Sequence, residues 1–349
     1  MSEVASKSFS DAESLLVDLV STPSLSGEEG ACADRLTAFF ETHGREVYLD
    51  AVGNVRAPGD DRVLLTSHID TVPGTLPVKV EDGTLWGRGS VDATGSLAAM
   101  AVAAVTTGAS FAGVVREETD SAGAAHLIDD REAPAAVING EPSGWDGVVL
   151  GYRGVARGTY HVTTTAGHAA GPGQNAIELA LSWIDEVTDV LPTDEASVFE
   201  SATVTPVSID GGLSDDGTAV EATIEVDCRL PPSLSPSEVL GEIDAVDTTG
   251  TVSWARKIPP VTMDARNPVA TSLRGAIRST GGEPRLLHKT GTSDMNLYAT
   301  AWEVPMATYG PGDSSLDHTT EERLDLDEFS QAIEVLESAT ITLQTSDHE

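Results

Sequence analysis

Cysteine, lysine and long apolar segments are all scarce in this chain of 349 residues. Its two cysteines, Cys32 and Cys228, do not indicate a disulfide framework, and neither has a cysteine partner at metal-ligand spacing. No apolar run approaches the ~20 residues that cross a bilayer, and no apolar stretch follows a basic start at the N-terminus. We therefore expect neither a membrane span nor a secretory signal, and the cytoplasm is the expected compartment.

Basic residues are few and acidic residues many. Only four of the 20 basic residues are lysine, and 56 aspartates and glutamates bring the formal charge to −36. Nucleic acid and anionic membranes are poor partners for such a surface. At 1 M salt the Debye length falls to ~3 Å, which screens the self-repulsion of a hydrated acidic surface. The composition therefore indicates a halophilic protein.

The length and the 40% content of hydrophobic residues predict two globular domains. In the first part, apolar segments typical of buried strands end at His68, shortly before Glu117 and shortly before Glu141. Helical segments separate them, among them an alanine-rich one at 96–107, and Ser26 resembles the N-cap of an earlier helix. The pattern predicts an α/β domain with functional groups just beyond the carboxyl ends of its strands.

The pattern changes at Gly154. Segments of strand and helix character then alternate over about a hundred residues, which predicts a small α+β domain inserted into the larger one. We therefore predict a main α/β domain formed by residues 1–152 and 266–349. The predicted insertion covers residues 153–265.

Seven acidic or histidine positions stand in an order that suits one chemistry. His68 and Asp70 are two residues apart at a strand end, where one can face a site while the other orients it. Asp92 lies in the glycine-rich segment Gly87–Gly95, where glycines let the backbone bring a bridging carboxylate close. Taken singly, each is more simply interpreted as part of a surface turn.

The other members of the set are three glutamates and a histidine. Adjacent carboxylates such as Glu117 and Glu118 repel unless cations compensate, although an acidic loop is the simpler interpretation. Glu141 and His318 would singly be interpreted as a loop carboxylate and a surface histidine. Together, two imidazoles and three carboxylates can hold two divalent ions, which leaves one glutamate to move a proton and one aspartate to orient a histidine.

Further positions could contact a substrate. His168 and Arg229 lie in the predicted insertion, where a histidine could donate to a developing oxyanion and an arginine could clamp a carboxylate. The polar loop 289–296 contains Thr292 and Ser293, whose hydroxyls and amides could face a substrate. Singly, these are a turn histidine, a solvated strand arginine and a surface loop.

The chain resembles the co-catalytic metallopeptidase family of aminoacylases, acetylornithine deacetylases and succinyl-diaminopimelate desuccinylases over nearly its whole length. The matching segments, in family order, are SHIDTVPG, GRGSVDATG, EET, GEP, GHAAGPGQNA, DCRLPP, TGTSDMN and DHTTEER. GRGSVDATGSLAAM and KTGTSDMN look most like the branch that releases lysine or ornithine from a small amino-group carrier protein. That branch carries Lys-Gly-Pro where this chain has Thr94-Gly95-Ser96.

The resemblance implies a zinc-peptidase-like catalytic domain of mixed-sheet α/β type, with an inserted α+β lid and dimerisation domain. The residues that it implies as metal ligands are His68, Asp92, Glu118, Glu141 and His318. It pairs Glu141 with His68 and Glu118 with His318, whereas order along the chain leaves that pairing open. It makes Glu117 the general acid/base and Asp70 the residue that orients His68. Two divalent ions follow, with Zn²⁺ expected and Co²⁺ the alternative, and a homodimer is expected.

The function expected from the resemblance is metal-dependent hydrolysis of an amide bond. The enzyme would release lysine or ornithine from the terminal glutamate of an acidic carrier protein, in lysine or arginine biosynthesis. Deacylation of acetylornithine, succinyl-diaminopimelate or another N-acyl amino acid, or dipeptide cleavage, is the alternative. A non-catalytic metal-dependent binding protein is a third hypothesis, which Glu117 disfavours because binding requires no spare glutamate.

Overall fold

The computed structural model describes most of the chain. The described residues are 10–168, 172–193, 197–246 and 249–346. The first nine residues of the chain and residues 169–171, within the predicted motif Gly167–Ala176, lie outside these ranges. No helix in the described ranges is long and apolar enough to span a membrane.

The chain folds into two compact units. The first comprises Met1–Leu150, Met263–Leu287 and Ser293–Glu349, and the second comprises Gly151–Thr262 and His288–Thr292. Each unit contains its own cluster of buried apolar side chains.

Helices and strands are interspersed along the described chain. The α-helices are α1 Asp11–Val20, α2 Gly30–Thr42, α3 Thr94–Thr107, α4 Ala122–Asp130, α5 Ala176–Val190, α6 Pro236–Asp244, α7 Pro268–Ser279, α8 Asp294–Ala301 and α9 Leu326–Thr345. The strands are β1 Tyr48–Leu49, β2 Val55–Ala57, β3 Asp60–His68, β4 Lys79–Glu81, β5 Thr84–Trp86, β6 Ala109–Val114, β7 Val137–Gly140, β8 Gly147–Tyr152, β9 Gly154–Thr165, β10 Thr203–Leu213, β11 Ala219–Leu230, β12 Thr251–Ile258, β13 Val261–Thr262, β14 Arg285–Lys289, β15 Met306–Thr308 and β16 Arg323–Asp325.

A mixed sheet forms the centre of the first unit. Its strands follow the order β1-β2-β6-β3-β7-β15-β8. β3 is parallel to both β6 and β7, and β7 is parallel to β15, whereas β2 and β8 join antiparallel. Every residue of β6 and β7 is buried, as expected for parallel strands that are covered on both faces. The predicted α/β class with a mixed sheet is confirmed.

Helices α3 and α9 supply much of the cover. α3 is buried over most of its length because its many alanines allow close approach on all sides. α9 packs against α3 and α7, and its apolar face joins the same core. Polar residues occupy the opposite face of α9, so the helix is amphipathic.

A small three-stranded sheet in the first unit supports two loops of the candidate site. Its order is β16-β5-β4, and both pairings are antiparallel. Arg323 lies opposite Trp86, and Leu324 lies opposite Leu85. The chain leaves β5 toward Asp92, and it enters β16 shortly after His318. The sheet therefore anchors two distant stretches of sequence side by side.

The second unit is an antiparallel sheet with two helices. The sheet has the order β10-β11-β9-β12, and α5 and α6 belong to the same apolar cluster as its buried face. β9 and β11 alternate between buried and exposed residues, which is the pattern of a sheet covered on one face. Tyr160 and Trp183 stack in this core with ring centroids 4.2 Å apart.

Sequence reasoning missed strand β10, Thr203–Leu213. Its Pro206 and the Gly211-Gly212 pair are typical of loops, and most of its residues are exposed. The strand tolerates them because it lies at the edge of the sheet and has a register shift between Pro206 and Ser208.

The prediction that Ser26 caps a helix was wrong. Helix α2 begins at Gly30, its N-cap residue is Glu29, and no side chain bonds that end. The hydroxyl of Ser26 instead donates to a carboxylate oxygen of Asp70 at 2.6 Å. Because the Ser26 hydroxyl bonds the distant carboxylate of Asp70, it does not cap the nearby end of α2.

Helix α9 offers a matched test of the core. Replacing the fully buried Leu336 with alanine should lower the free energy of unfolding by about 2–5 kcal/mol, because a cavity remains. Ile341 on the same helix is 49% exposed, so Ile341→Ala should change it by less than about 0.5 kcal/mol. Denaturant unfolding followed by circular dichroism measures both, and equal losses would contradict the described packing.

Candidate metal centre

Three of the predicted site segments meet at the carboxyl ends of parallel strands. β3 ends at His68, β7 ends at Gly140 just before Glu141, and β6 ends at Val114 shortly before Glu117. β3 lies between β6 and β7, and His68 lies opposite Val114. Because the carboxyl ends of parallel strands share one edge of a sheet, these side chains are delivered to the same place.

The loop between β5 and α3 brings in Asp92. Gly89 in this loop has a φ of +81°, and a Cβ there would lie 2.7 Å from Cγ2 of Thr71 and 2.8 Å from Oγ1 of Thr94. Only glycine fits such a close approach. Asp92 directly precedes Ala93, the N-cap residue of α3, and the N-terminal end of a helix favours a nearby carboxylate.

His318 reaches the same place from the far end of the chain. Its backbone is left-handed with a φ of +61°, so the loop before β16 turns sharply at this residue. Its Nε2 lies 3.0 Å from Oδ2 of Asp92 and 3.1 Å from Oε1 of Glu118. The side chain is 51% exposed, whereas that of His68 is buried.

The five predicted ligands form two groups that share one carboxylate. The groups are His68, Asp92 and Glu141, and Asp92, Glu118 and His318. Within each group the candidate donor atoms all lie within 4.8 Å of one another. His68 Nε2 is 3.2 Å from Oδ1 of Asp92 and 3.9 Å from Oε2 of Glu141. These distances place Glu141 with His68 and Glu118 with His318.

The donor chemistry fits divalent cations. Each group offers an imidazole nitrogen and carboxylate oxygens, the donor set of hydrolytic Zn²⁺ sites, which use three protein ligands and keep a position open. Co²⁺ accepts the same mixture. Asp92 presents one oxygen to each histidine, as a bridging carboxylate would.

A family model agrees with this arrangement. The model described as Peptidase family M20/M25/M40 matches residues 64–342. The chain belongs to this family. The predicted recognition as a co-catalytic metallopeptidase is thereby confirmed.

Curated relatives in the family resemble the chain over nearly its full length. A LysW-lysine hydrolase of Deinococcus radiodurans is 39% identical, across 95% of this chain and 97% of the relative. A protein of Thermococcus kodakarensis named putative LysW-lysine/LysW-ornithine hydrolase is 36% identical, across 91% of this chain and 88% of the relative.

Solved structures of the family share the fold. An M20 family metallo-carboxypeptidase of Sulfolobus solfataricus superposes with a TM-score of 0.80 at 17% identity, covering 97% of this chain and 100% of that one. A dinuclear metal-binding peptidase of the M20 family from Bacillus subtilis gives a TM-score of 0.70 at 17% identity, covering 96% and 98%. At these identities the likeness concerns the fold alone.

Asp70 links three of the site segments in this M20 chain. Its carboxylate accepts the backbone N–H of Glu117 at 3.0 Å and that of Glu118 at 3.1 Å, together with the Ser26 hydroxyl. Nδ1 of His68 lies 2.8 Å from the Asp70 carbonyl oxygen and 3.5 Å from its carboxylate. Because Nδ1 of His68 contacts Asp70, the other ring nitrogen, Nε2, faces the carboxylates of Asp92 and Glu141.

The histidines and Asp92 shift one another's protonation. Burial lowers the pKa of His68, but hydrogen bonds to Asp70 and Asp92 outweigh it, and the net pKa lies well above the usual value. Hydrogen bonds to Asp92 and Glu118 raise the pKa of His318 to about 10. Burial raises the pKa of Asp92, yet the two histidines hold it below its usual range. The raised histidine pKa values reflect the negative charge around both rings, which bound cations would neutralise.

The pKa values of Glu117 and Glu141 are raised, in contrast to that of Asp92. Burial raises the pKa of Glu117 well above its usual value, and the charges of Asp294, Glu118 and Asp92 raise it further, against His68. Burial likewise raises the pKa of Glu141, with Asp92 and Glu117 adding to it. A raised pKa suits a carboxylate that must both accept and return a proton near neutral pH.

Sequence reasoning missed several residues around the centre. Ser26 bonds Asp70, and Asp294 at the start of α8 is almost fully buried and acts electrostatically on Glu117. Glu322 accepts hydrogen bonds from the Asp92 loop, and Arg88 pairs with it. Arg88, Asp294 and Glu322 lie in segments already quoted for the resemblance, and that was their only sequence signal. Ser26 lies outside those segments.

The predicted substrate residues are distributed over both units. In the second unit, His168 is exposed in the loop after β9, and Nη1 of Arg229 in β11 lies 3.5 Å from Oγ1 of Thr292. In the first unit, the buried Ser293 is the N-cap of α8, and its hydroxyl accepts the N–H of Met295. A role for these residues in substrate binding stays a prediction.

Removing His318 tests the second ligand group. His318→Ala should reduce Co²⁺ bound at equilibrium from about two ions per chain to about one, because only two carboxylates would remain in that group. Equilibrium dialysis followed by elemental analysis measures the ratio. His43→Ala, at an exposed histidine on α2's C-cap, is the matched control and should keep both ions. Two ions retained by His318→Ala would contradict the grouping.

Proposed function

We propose that this protein is a dinuclear metal-dependent amide hydrolase that releases lysine or ornithine from the terminal glutamate of a small amino-group carrier protein. Membership of the peptidase family and the names of the two curated relatives support the reaction and the carrier. The observation that carries the proposal is the meeting of two three-residue groups at the shared carboxylate of Asp92.

The ligands in this proposal are His68, Asp92, Glu118, Glu141 and His318. Divalent ions bound there would polarise the amide carbonyl and make water a stronger nucleophile near neutral pH. Zn²⁺ is the metal that we propose, with Co²⁺ as the alternative, because both accept imidazole and carboxylate donors.

Glu117 is the proposed general acid/base. It would take a proton from the attacking water and return it to the leaving amine. Its raised pKa and the hydrogen bond that fixes its backbone to Asp70 support this assignment. Asp70 would hold the ring of His68 in place, and His168 would donate to the developing oxyanion.

Substrate binding is assigned to the second unit and to the loop at 289–296. Arg229 would pair with a carboxylate of the substrate, and Thr292, already within reach of Arg229, would assist it, together with Ser293. The buried Arg153 supports this loop because its Nε donates to the carbonyl oxygen of Thr290 at 2.9 Å. The second unit would be the lid.

The second unit would also join two copies of the chain in a homodimer. Strand β10 lies at an edge of its sheet, and it exposes Val207, Ile209 and Leu213 by more than half of their surface. An exposed edge strand with apolar side chains can pair with another strand. This feature supports the dimer in our proposal.

Side-by-side hydrolysis assays test the function. The protein should cleave a carrier conjugate of lysine or ornithine faster than acetylornithine, succinyl-diaminopimelate or a dipeptide. Glu117→Gln should lower kcat by about 10²–10⁴-fold while keeping its metal, because the proton acceptor is lost. Glu132→Gln, at an exposed glutamate, is the matched control.

Turnover of only the small acyl substrates would overturn the carrier proposal and retain the hydrolase. Full activity of Glu117→Gln would overturn the assignment of the base. Comparison of the two conjugates separates lysine from ornithine as the product.

Salt dependence tests the acidic carrier as the partner. With a formal charge of −36, the enzyme would repel an acidic protein at low ionic strength. The apparent KM for the conjugate should therefore fall as KCl rises from about 0.2 M to about 2 M. Steady-state kinetics measure it, with circular dichroism to show an intact fold. A KM that climbs steadily with salt in folded enzyme would refute the expected relief of repulsion between enzyme and carrier.

A further inference from the structure

A buried glutamate connects the two loops that carry Asp92 and His318. Glu322 follows His318 by four residues and immediately precedes β16. Only 1% of its surface is exposed. Its Oε1 accepts the backbone N–H of Val91 at 3.1 Å and that of Asp92 at 3.2 Å. One carboxylate oxygen therefore holds two consecutive amides of the other loop.

The second oxygen of Glu322 is also engaged. Nη1 of Arg88 donates to Oε2 at 2.7 Å, and Nε of Arg88 donates to the carbonyl oxygen of Gly74 at 3.2 Å. The Arg88 side chain is 13% exposed. The main-chain carbonyl of Glu322 accepts the N–H of Gly87 at 3.3 Å. Glu322 thus holds the Asp92 loop at three points, which are Gly87, Arg88 and the adjacent amides of Val91 and Asp92.

Such an ion pair is costly to build. Removing both charges from water is compensated only when geometry is good and further hydrogen bonds satisfy the groups, and hydrophobic replacements are often more stable. Stability alone therefore gives a weak reason for this pair. Accurate placement of the Asp92 backbone, which the Glu322 carboxylate holds, is a stronger reason.

The Glu322 carboxylate holds the backbone of Asp92, the residue that both ligand groups share. Asp92 presents Oδ1 to His68 at 3.2 Å and Oδ2 to His318 at 3.0 Å. A displacement of the Asp92 backbone would therefore change the distance between each carboxylate oxygen and its histidine. His318 itself lies on the Glu322 loop, so the same contact sets its distance from Asp92.

We propose that Glu322, with Arg88, is a positioning residue that sets the spacing of the two metal positions. It does so by locking the Asp92 backbone to the His318 loop. Glu322 belongs to neither ligand group among the described residues. The inference rests on the proposed ligand set and is independent of the substrate.

Metal titration without substrate tests this role. Glu322→Gln preserves shape but places an amide against Arg88, and Arg88→Met leaves the carboxylate buried without its partner. Each should weaken binding of one of the two Co²⁺ ions by about 10- to 100-fold, the usual effect of losing an outer support of a ligand. That ion is the one at His318, because His68 and Glu141 are held by the ends of strands. Elemental analysis and the visible absorption of bound Co²⁺ report occupancy and geometry separately.

Rescue separates positioning from simple loss of stability. The double variant Arg88→Met with Glu322→Gln leaves no lone buried charge, while its glutamine can still accept the two amides. It should regain part of the lost affinity relative to Arg88→Met alone. Excess Co²⁺ should restore kcat in all three variants. Glu321→Gln, at the exposed neighbouring glutamate, is the matched control and should behave as wild type.

The results distinguish this proposal from the proposed function. Folded single variants with two ions bound at wild-type affinity and an unchanged spectrum would overturn the positioning role. So would an equal loss of both ions in the double variant with no rescue. If a single variant fails to fold, the double variant and Arg88→Lys, which retains the charge, give the same comparison. A wild-type protein that binds one ion or none would instead contradict the ligand set.

Discussion

Repulsion among carboxylates is the constraint around which this protein is organised. Asp92, Glu117, Glu118 and Glu141 converge at one edge of the main sheet, where water screens their charges poorly. Two imidazoles lie among these carboxylates, and divalent cations bound there would neutralise the remaining negative charge. Gathering these carboxylates in one place is electrostatically unfavourable unless cations are bound among them.

Two buried carboxylates fix the backbones of the Glu117-Glu118 segment and of the Asp92 loop. Asp70 accepts the consecutive amides of Glu117 and Glu118, and Glu322 accepts those of Val91 and Asp92. In each case a buried carboxylate outside the ligand groups holds the backbone of a carboxylate inside them. Charge-assisted hydrogen bonds of this kind are strong and directional, so a loop can be placed as accurately as a strand end.

Much of the fold could be predicted because local patterns carried it. The apolar strand ends at His68 as predicted, and helix α3, Thr94–Thr107, covers the alanine-rich segment predicted at 96–107. Strand β10 could not be predicted, since Pro206 and Gly211-Gly212 are acceptable only at a sheet edge, and the position of a strand in its sheet is not local information. Ser26 was misassigned for the same reason, because its acceptor lies far along the chain.

The order of acidic and histidine residues along the chain already indicated the chemistry, namely side chains able to bind two cations, one glutamate left over and a strongly acidic composition. The sequence also predicted that most of those side chains follow strands, because a strand can be recognised from the apolar pattern of a few neighbouring residues. Only the tertiary structure decided the pairing of Glu141 with His68 and of Glu118 with His318, together with the part played by Glu322. His318 and Glu118 are 200 residues apart in sequence, and Glu322 and Asp92 are 230 apart. Distances between such segments depend on packing and register rather than on any local pattern.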